Sequence, residues 1–308
     1  MDMHLPPALL EVTHKTQLCR NIEQSEVFFS DQLSAAYDPS ANALWSRWTP
    51  TPRPSFNPKL LEDLADYCSF VAATRGVVRW RGEVLPVEYT VLASGVPGVF
   101  NLGGDLDLFI RLVERQDGPG LLRYGKACVD VLHRNYVGFD LPLTTISLVQ
   151  GECLGGGFEA ALSSDIIIAE RHARFGFPEI LFNLFPGMGA YSFLDRRVGR
   201  RVTEELLSAG RIYSADAMLA MGVIDRVVDT GLGEAEVMAL AKRNSRSRNG
   251  LLGIARARRR VNGVSYDELL DVVQLWVDAA LHLTARDIKL MQRLVARQND
   301  IVACTQVH

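Results

Sequence analysis

The sequence lacks any apolar run long enough to cross a membrane as a helix, which takes roughly 20 residues. Its first stretch, Met1 to Gln17, carries charge and proline but no continuous apolar core, so we expect neither a signal peptide nor a membrane segment. No CxxC spacing occurs, and the odd number and scatter of the cysteines speak against a disulfide framework or a zinc site. We expect small buried thiols in a reducing compartment and therefore a cytoplasmic protein; the five residues are Cys19, Cys68, Cys128, Cys153 and Cys304.

The chain also lacks a marked excess of charge of either sign. Its 308 residues include 33 lysines and arginines and 36 acidic residues, which gives a net charge of −3. This balance does not favour a general attraction to nucleic acid, and we expect no nucleic-acid partner. A content of 48% hydrophobic residues is typical of a globular protein, and the length suits one large domain or two small ones.

Helical and strand patterns alternate along the first two thirds of the chain. Apolar residues recur at helical spacing in 58–72 and in 119–137, whereas 84–92 and 144–149 have the composition of strands. A short buried strand is expected at 165–169. This alternation predicts an α/β fold with mainly parallel strands.

Turn and capping signals lie towards both ends of the chain. Asp38-Pro39-Ser40 interrupts the stretch 33–48 and favours a hairpin there. The later part of the sequence is mostly helical: Ser265 to Glu268 fits a capping box, and a last helix is expected at 284–299. The sequence thus predicts an αβ core of about 230 residues with a helical C-terminal part.

Gly155, Gly156 and Gly157 lie between a predicted strand and a predicted helix. The first N–H groups of a helix have no partner within it and point outward, so such a turn can bind an anion or a developing oxyanion. A phosphate-binding P-loop is not indicated, because Phe158 and Glu159 stand where lysine and serine or threonine would follow. The alternative is a tight turn that only lets the strand and the helix pack closely.

Two glutamates have apolar neighbours in the sequence around and after this turn. Glu159 is followed by Ala-Ala-Leu, and Glu179 is followed by Ile-Leu-Phe. Burial would raise their pKa values and make them usable acids or bases near neutrality. Alternatively, Glu159 only complements the helix dipole and Glu179 lies exposed at a bend. Proton removal beside a thioester carbonyl needs N–H donors for the enolate oxygen and a carboxylate for the α-proton, and this segment offers both.

Other charged residues leave their roles open. Asp105 and Asp107 have no histidine at ligand spacing, so we expect no metal and expect Asp105 to hold its loop. His133 and His172 are expected to be structural or exposed. A basic cluster is either a solvated helix face or a docking surface for an acidic carrier protein or a phosphate; it comprises Lys242, Arg243, Arg246, Arg248, Arg256, Arg258, Arg259 and Arg260.

The sequence between Leu141 and Gly189 resembles the crotonase (enoyl-CoA hydratase/isomerase) superfamily. The likeness is carried by Gly151-x-x-Leu154-Gly155-Gly156-Gly157-x-Glu159-x-Ala161, Asp165-Ile166, Ala173-Arg174-Phe175-Gly176-x-Pro178-Glu179 and Pro186-Gly187-x-Gly189. Phe100 to Leu106 stands where the family has its first oxyanion-hole loop. The resemblance covers roughly 55–229 and is far more specific than a triple glycine alone.

This resemblance implies an α/β fold of the crotonase type, which is a spiral of ββα repeats with a helical C-terminal region. Accordingly, 1–54 is expected to form an N-terminal extension with the first strands, 55–230 the spiral core with the active site, and 231–308 the helical region. The family's usual assembly implies a homotrimer or a dimer of trimers.

For the site, the resemblance implies that Glu159 and Glu179 are catalytic and that the backbone N–H groups of Leu102 and Gly156 form the oxyanion hole. No cofactor and no metal are implied. The residues expected to bind substrate are Gly103, Gly155, Phe182, Gly187, Met188 and Trp276. For Trp276 the alternative is that it only packs in the core.

Within the superfamily, Gly155 to Leu162 and Pro178 to Phe193 look like the diffusible-signal-factor synthases. Such bacterial enzymes dehydrate a 3-hydroxyacyl chain on acyl carrier protein and hydrolyse the thioester, which releases a cis-2-unsaturated medium-chain fatty acid used in quorum sensing. The resemblance implies an acyl carrier protein or CoA thioester as substrate and a regulatory sensor protein as a partner. Two alternatives stay open: an ordinary enoyl-CoA hydratase or isomerase, and an inactive crotonase-like protein that binds a sensor or regulator.

Overall fold

Strands and helices alternate along the chain in the computed structural model, which describes residues 21–22 and 27–305. The strands are β1 (Asn21–Ile22), β2 (Val27–Phe28), β3 (Leu33–Asp38), β4 (Ala43–Trp48), β5 (Val77–Trp80), β6 (Glu83–Pro86), β7 (Tyr89–Ser94), β8 (Gly98–Asn101), β9 (Thr144–Val149), β10 (Gly151–Leu154), β11 (Ile166–Glu170), β12 (Arg174–Gly176), β13 (Ile212–Ser214) and β14 (Arg226–Val228). The helices are α1 (Pro58–Thr74), α2 (Leu106–Glu114), α3 (Gly118–Tyr136), α4 (Gly156–Leu162), α5 (Ala190–Ala209), α6 (Ala215–Ala220), α7 (Gly233–Asn244), α8 (Arg248–Val261), α9 (Tyr266–Leu281) and α10 (Ala285–Thr305). Short 3-10 turns lie at Gly138–Asp140, Glu179–Phe182 and Ser245–Ser247.

The strands form three sheets in the described part of the chain. The largest has the order β14-β11-β9-β7-β4-β3-β2, the second β13-β12-β10-β8, and the smallest β1-β5-β6. Pairing from β4 through β7, β9 and β11 to β14 is parallel, as is the pairing of β8, β10 and β12. The predicted α/β class with mainly parallel strands is confirmed.

Consecutive strands enter different sheets, and this produces the predicted spiral of ββα repeats. β7, β9 and β11 lie in the large sheet, whereas the strands that follow them, β8, β10 and β12, lie in the second sheet. The corner between β9 and β10 requires a glycine, because a methyl group on Gly151 would lie 2.0 Å from the carbonyl carbon of Gly98. Each repeat therefore brings the end of a second-sheet strand towards the start of a helix or turn, as β10 does for α4.

Local signals account for the helix boundaries. α1 begins after Asn57, whose side chain accepts the Leu60 N–H at 2.8 Å, and with Pro58 at its first position. Ser265 caps α9 by accepting the Glu268 N–H, as the capping box predicts, but the Glu268 carboxylate pairs with Arg196 at 2.7 Å instead of returning to the cap. The expected hairpin in 33–48 is confirmed as β3 and β4.

One predicted element is wrong. The stretch 84–92 is not a single strand, because β6 turns back on β5 in the smallest sheet while β7 begins anew in the largest one. The break falls at Val87 and Glu88, directly after Pro86, and this proline was the local signal that the prediction passed over. The other predicted helices and strands are confirmed to within a few residues, except that α10 extends to Thr305.

The main core lies between the sheets and helices α1 to α4, and a smaller one lies under α7 on the other face of the large sheet. Cys68, Cys128 and Cys153 are buried and free, as expected, whereas Cys19 and the side chain of Cys304 lie outside the described residues. Residues 1–17, which were expected not to form a signal peptide, also lie outside the described residues. No helix in the described ranges is long and apolar enough to span a membrane.

The predicted division into an extension, a core and a helical region stays a prediction. Residues 33–48, from the expected extension, form β3 and β4, and β4 pairs directly with β7 in the large sheet. Residues 1–20 and 23–26 of that extension lie outside the described part of the chain.

Candidate active site

Glu159 lies in the first turn of α4 and is 1% exposed. Its Oε1 accepts two backbone hydrogen bonds, from the Met188 N–H at 2.8 Å and the Ala190 N–H at 3.0 Å. The turn that precedes α5 therefore fixes the orientation of this carboxyl. Burial raises the pKa of Glu159 to about 7, although the hydrogen bonds from Ala190 and Met188 lower it.

Glu179 is the first residue of a 3-10 turn and faces the same space. The residue is half-buried, but its Oε2 is fully buried and has no hydrogen-bond partner among the described residues. Burial, and then the charge of Glu159, raise the pKa of Glu179 to about 8. Two carboxyls whose pKa values are both raised towards neutrality can serve there as an acid and a base.

Gly155 makes the close approach of Glu179 to the glycine-rich turn possible. Its φ of 50° is one that side chains rarely adopt, and a methyl group there would lie 2.4 Å from Glu179 Oε1. The Gly155 N–H donates to the Gly176 carbonyl at 2.9 Å, which ties the turn to β12. The triple glycine thus does more than let strand and helix pack.

Leu102 was predicted to donate its backbone N–H to an oxyanion, and that prediction is wrong. The Leu102 N–H donates to the Pro54 carbonyl at 2.7 Å, and the Leu102 carbonyl accepts from Gln298 Nε2 at 3.1 Å. The Gly103 N–H is also taken, by Asn101 Oδ1 at 2.8 Å. This part of the loop is held by internal bonds and cannot receive a ligand oxygen.

Within the described residues, it is Gly104, two residues further on, that has the unpaired backbone N–H predicted for Leu102. A methyl group placed on Gly156 would lie 3.5 Å from the Gly104 nitrogen, so the two backbones adjoin. Neither the Gly104 N–H nor the Gly156 N–H has a partner in the described part of the chain. Both are available to one oxygen, and the Gly103-Gly104 pair in the sequence was the signal for this donor.

All the predicted site residues line one cavity, including Leu102. The structure therefore brings together both glutamates, the glycines and the expected acyl-binding side chains. The cavity wall is mostly apolar and is shared by α1, α3, α9 and α10. Sequence reasoning missed several of its lining residues, notably Tyr67, Gly104, Cys128, Asn135, Leu294 and Gln298.

Trp276 is both a core residue and part of the cavity wall. It is 2% exposed and its ring meets that of Phe109 edge-on, with 5.1 Å between centroids. It also packs against the backbone of Gly187, in the turn whose next residue, Met188, holds Glu159. The two interpretations of Trp276 are therefore compatible.

The other candidates lie elsewhere. Asp105 caps α2 by accepting the Leu108 N–H, and Arg53 lies between Asp105 and Asp107. His133 packs on the Tyr266 ring, with 5.6 Å between centroids. Among the described residues, no group of three or more histidines, cysteines and acids could hold a metal ion.

Half of the basic cluster has partners within the protein. Arg258 and Arg259 both pair with the buried Asp165, and Arg248 donates to the carbonyl oxygens of Glu88 and Pro142. Arg243 pairs with Glu236 at 2.6 Å. The arginines of α8 hold that helix onto the sheet, whereas the pair of Arg243 lies within α7. The cluster is therefore neither simply solvated nor wholly available for docking; Arg256 and Arg260 are exposed.

Comparison with known proteins gives the same family for this site. Residues 86–253 match the enoyl-CoA hydratase/isomerase family. The mouse mitochondrial methylglutaconyl-CoA hydratase is 30% identical over 143 residues, which are 46% of this chain and 43% of that protein. A mevalonyl-coenzyme A hydratase of Beauveria bassiana is 43% identical over 86 residues, which are 28% and 31% of the two chains. The chain thus matches less than half the length of these curated relatives.

Solved structures share the fold. Pseudomonas aeruginosa DspI is 21% identical with a TM-score of 0.58, covering 77% of this chain and 90% of that one. The enoyl-CoA hydratase of Bacillus halodurans (19% identical, TM-score 0.71) covers 85% and 100%, and the human mitochondrial delta3-delta2-enoyl-CoA isomerase (19%, TM-score 0.71) covers 88% and 99%. From the family match over more than half of its length, the chain belongs to the enoyl-CoA hydratase/isomerase family and has the crotonase fold.

Proposed function

We propose that the protein dehydrates a 3-hydroxyacyl thioester carried by acyl carrier protein and then hydrolyses the thioester, releasing a cis-2-unsaturated medium-chain fatty acid. The observation that carries the proposal is the joint placement of Glu159 and Glu179. Both carboxyls face one apolar cavity, both have pKa values raised towards neutrality, and two N–H groups without partners among the described residues adjoin them.

Dehydration uses the proton that the two carboxyls share. The thioester oxygen accepts from the Gly104 and Gly156 N–H groups, which stabilise the enolate as it forms. One carboxylate takes the proton from the α-carbon, and the protonated carboxyl gives its proton to the hydroxyl on the β-carbon, which leaves as water. The pair ends with one proton, as it began. At rest that proton is on Glu179, because Glu159 accepts two N–H bonds that favour its ionised form.

Hydrolysis needs no further group. The ionised carboxylate takes a proton from a water molecule, and the resulting hydroxide attacks the thioester carbonyl, whose oxygen again lies between the two N–H groups. The carbon–sulfur bond breaks, and the thiolate of the carrier receives the proton. Glu179 suits the activation of water, because its Oε2 has no hydrogen-bond partner in the described ranges and no internal bond competes for it.

The shape of the site supports an acyl chain over a small polar substrate. The cavity continues from the glutamates between α1 and α3, where its wall includes Leu61, Leu64, Val131 and Leu132. Burying a hydrocarbon there gains roughly 25 cal/mol per Å² of apolar surface. We take the carrier protein to be acidic. The exposed Arg256 and Arg260 on α8 then offer it a complementary positive charge.

Incubation with 3-hydroxydecanoyl acyl carrier protein tests the proposal, with mass spectrometry of the products. We expect free 2-decenoic acid in the cis form from the wild type and none from Glu159→Gln or Glu179→Gln. Glu170→Gln is the matched control, because Glu170 is a buried carboxyl that does not line the cavity. Absence of free unsaturated acid from the wild type would refute the proposal.

The second candidate is an ordinary hydratase of CoA thioesters, which the names of the curated relatives favour. It predicts rapid hydration of crotonyl-CoA and no release of free acid. A third hypothesis, an inactive protein that binds a sensor or regulator, predicts that neither glutamine variant changes any product. The homotrimer or dimer of trimers stays a prediction, which the sedimentation of the purified chain would test.

A further inference from the structure

Two polar side chains line the mostly apolar cavity in addition to the glutamates. Asn135 is 4% exposed and Tyr67 is 1% exposed, and both line the cavity. The Asn135 Oδ1 is buried and has no hydrogen-bond partner among the described residues. The Tyr67 hydroxyl is buried too and makes no hydrogen bond of ordinary geometry there; burial raises its pKa, and the Ser46 side chain lies close enough to lower it in part. Buried polar atoms are nearly always satisfied in folded proteins, so these two atoms point to a bound group.

The hydrogen bonds around Asn135 fix which of its two ends faces the cavity. Its Nδ2 donates to the hydroxyl oxygens of Ser163 at 2.9 Å and Ser164 at 3.0 Å. Ser163 donates its own proton to the Ala160 carbonyl at 2.7 Å, so its oxygen must accept from the amide. The amide nitrogen is therefore held by the serines, and the Oδ1 is an acceptor without a donor.

The two side chains lie at a defined depth. The face of α3 that lines the cavity carries Tyr124, Cys128 and Asn135. Tyr124 marks the oxyanion loop, because its hydroxyl donates to the Phe56 carbonyl at 2.6 Å, and Cys128 lies near enough to Glu159 for that charge, after burial, to raise its pKa. At 1.5 Å of helix rise per residue, Asn135 lies roughly 10 Å beyond Cys128. A medium-length acyl chain spans that distance.

Tyr67 reaches the same region from α1. Its ring meets the Phe139 ring edge-on, with 6.2 Å between centroids, and Phe139 lies four residues after Asn135, in the 3-10 turn that follows α3. The walls before this point are apolar, including Leu64 and Leu132. Asn135 and Tyr67 together are called the polar floor. The apolar part of the cavity that precedes them, lined by Leu64 and Leu132 among others, is called the shaft.

We infer that this polar floor is a hydroxyl-binding site that selects the far end of the acyl chain. A chain that reaches it binds tightly only if it ends in a hydroxyl, which donates to Asn135 Oδ1 and pairs with the Tyr67 hydroxyl. A terminal methyl group would leave both polar atoms buried without partners, which weakens binding by roughly tenfold or more. The inference rests on the proposed function only in placing an acyl chain in this cavity.

A water molecule is the other source of a hydroxyl at the floor. A shorter plain chain leaves room for water there, so it keeps the floor satisfied and binds well. Wild-type protein should therefore accept short plain chains and longer hydroxylated chains, and reject longer plain chains. An apolar floor would instead favour plain chains at every length that fits.

Isothermal titration calorimetry of the full chain with alkyl-CoA thioethers tests this, because thioethers are neither dehydrated nor hydrolysed. The ligands run from octyl to tetradecyl, each plain and with a terminal hydroxyl. We expect the hydroxylated ligand to bind at least about tenfold more tightly than the plain one at the length that reaches the floor. Asn135→Leu should remove this preference, and Tyr67→Phe, which deletes one oxygen only, should reduce it.

Leu132→Ile is the matched control, because it changes the shape of the shaft without changing its polarity and should affect plain and hydroxylated ligands alike. Equal binding of plain and hydroxylated chains by the wild type at every length overturns the floor, as does an undiminished preference in both variants. If the hydroxylated thioethers bind more tightly but no unsaturated acid is formed from the carrier-bound substrate, the proposed function fails and the floor stands. If no chain binds, the floor fails, and the assay with the carrier-bound substrate alone decides the proposed function.

Discussion

Replacement of Glu159 by glutamine should make the protein more stable at alkaline pH while greatly lowering its activity. The folded protein raises the pKa of this carboxyl from 4.5 to about 7, because burial penalises its charged form. A pKa raised by folding contributes stability that is present below the unfolded value and is lost as the pH rises through the folded value. The wild type therefore carries a penalty above pH 7 that glutamine, being neutral, does not.

The size of that penalty follows from the two pKa values. The difference between 4.5 and about 7 corresponds to about 3 kcal/mol, as an upper limit because Glu179 titrates with its neighbour. At pH 5 the same two pKa values give a smaller penalty on the free energy of unfolding, of about 1 kcal/mol or less. Glutamine keeps the carbonyl oxygen that accepts from Met188 and Ala190, so no structural bond is lost. Loss of proton transfer should lower kcat by roughly a hundredfold or more.

Urea unfolding followed by circular dichroism at pH 5 and pH 9 measures the effect as a difference between wild type and Glu159→Gln. A variant that is less stable than wild type at pH 9, or equally stabilised at both pH values, would refute the reasoning.

Glu170→Gln is the opposite control. Burial alone would raise the pKa of Glu170, but hydrogen bonds from Gly231, Gln150 and Gly233 lower it overall. That stability is present above the unfolded pKa and is lost as the pH falls, so Glu170→Gln should destabilise at pH 9, by roughly 1–3 kcal/mol.

Three further outcomes are expected. Gly155→Ala should lower the free energy of unfolding by roughly 1–3 kcal/mol and remove most of the activity, because its methyl group would lie 2.4 Å from Glu179 Oε1 at a positive φ. Gly156→Ala, whose nearest contact would be at 3.5 Å, should lower the melting temperature less. Trp276→Ala should lower the free energy of unfolding by roughly 3–5 kcal/mol and weaken the binding of long acyl chains, with Trp276→Phe losing less in both measurements. The pH profile of kcat/KM should be a narrow bell whose limbs belong to the Glu159 and Glu179 pair at about 7 and about 8, and a flat profile across that range would contradict the shared proton.

Much of the site is encoded locally, which is why sequence reasoning reached it. Glu159 lies in the first turn of a helix, directly after the glycine turn. The first N–H groups of any helix lack partners within it. The predicted alternation of strands and helices is likewise a matter of periodicity within short windows. The break between β6 and β7 was missed although Pro86 marks it, because the mainly apolar composition on both sides fits one strand and only the sheet pairing separates the two halves.

The oxyanion loop shows the limit of such reasoning. Whether Leu102 or Gly104 can donate to a ligand depends on which N–H groups other parts of the chain have taken, and Pro54 takes that of Leu102. The C-terminal helix adds a second long-range bond, from Gln298 to the Leu102 carbonyl. No pattern within the loop carries that information.

The sequence by itself determined the fold class, the two glutamates and the glycine turn, because helix starts, strand periods and turns are set by neighbouring residues. Only the tertiary structure decided that the glutamates line one cavity, that the N–H of Gly104 and not that of Leu102 is left without a partner among the described residues, and that Asn135 lines the same cavity. Those properties arise from desolvation and from hydrogen bonds between residues far apart in the chain. They exist only once the spiral has closed the cavity around them.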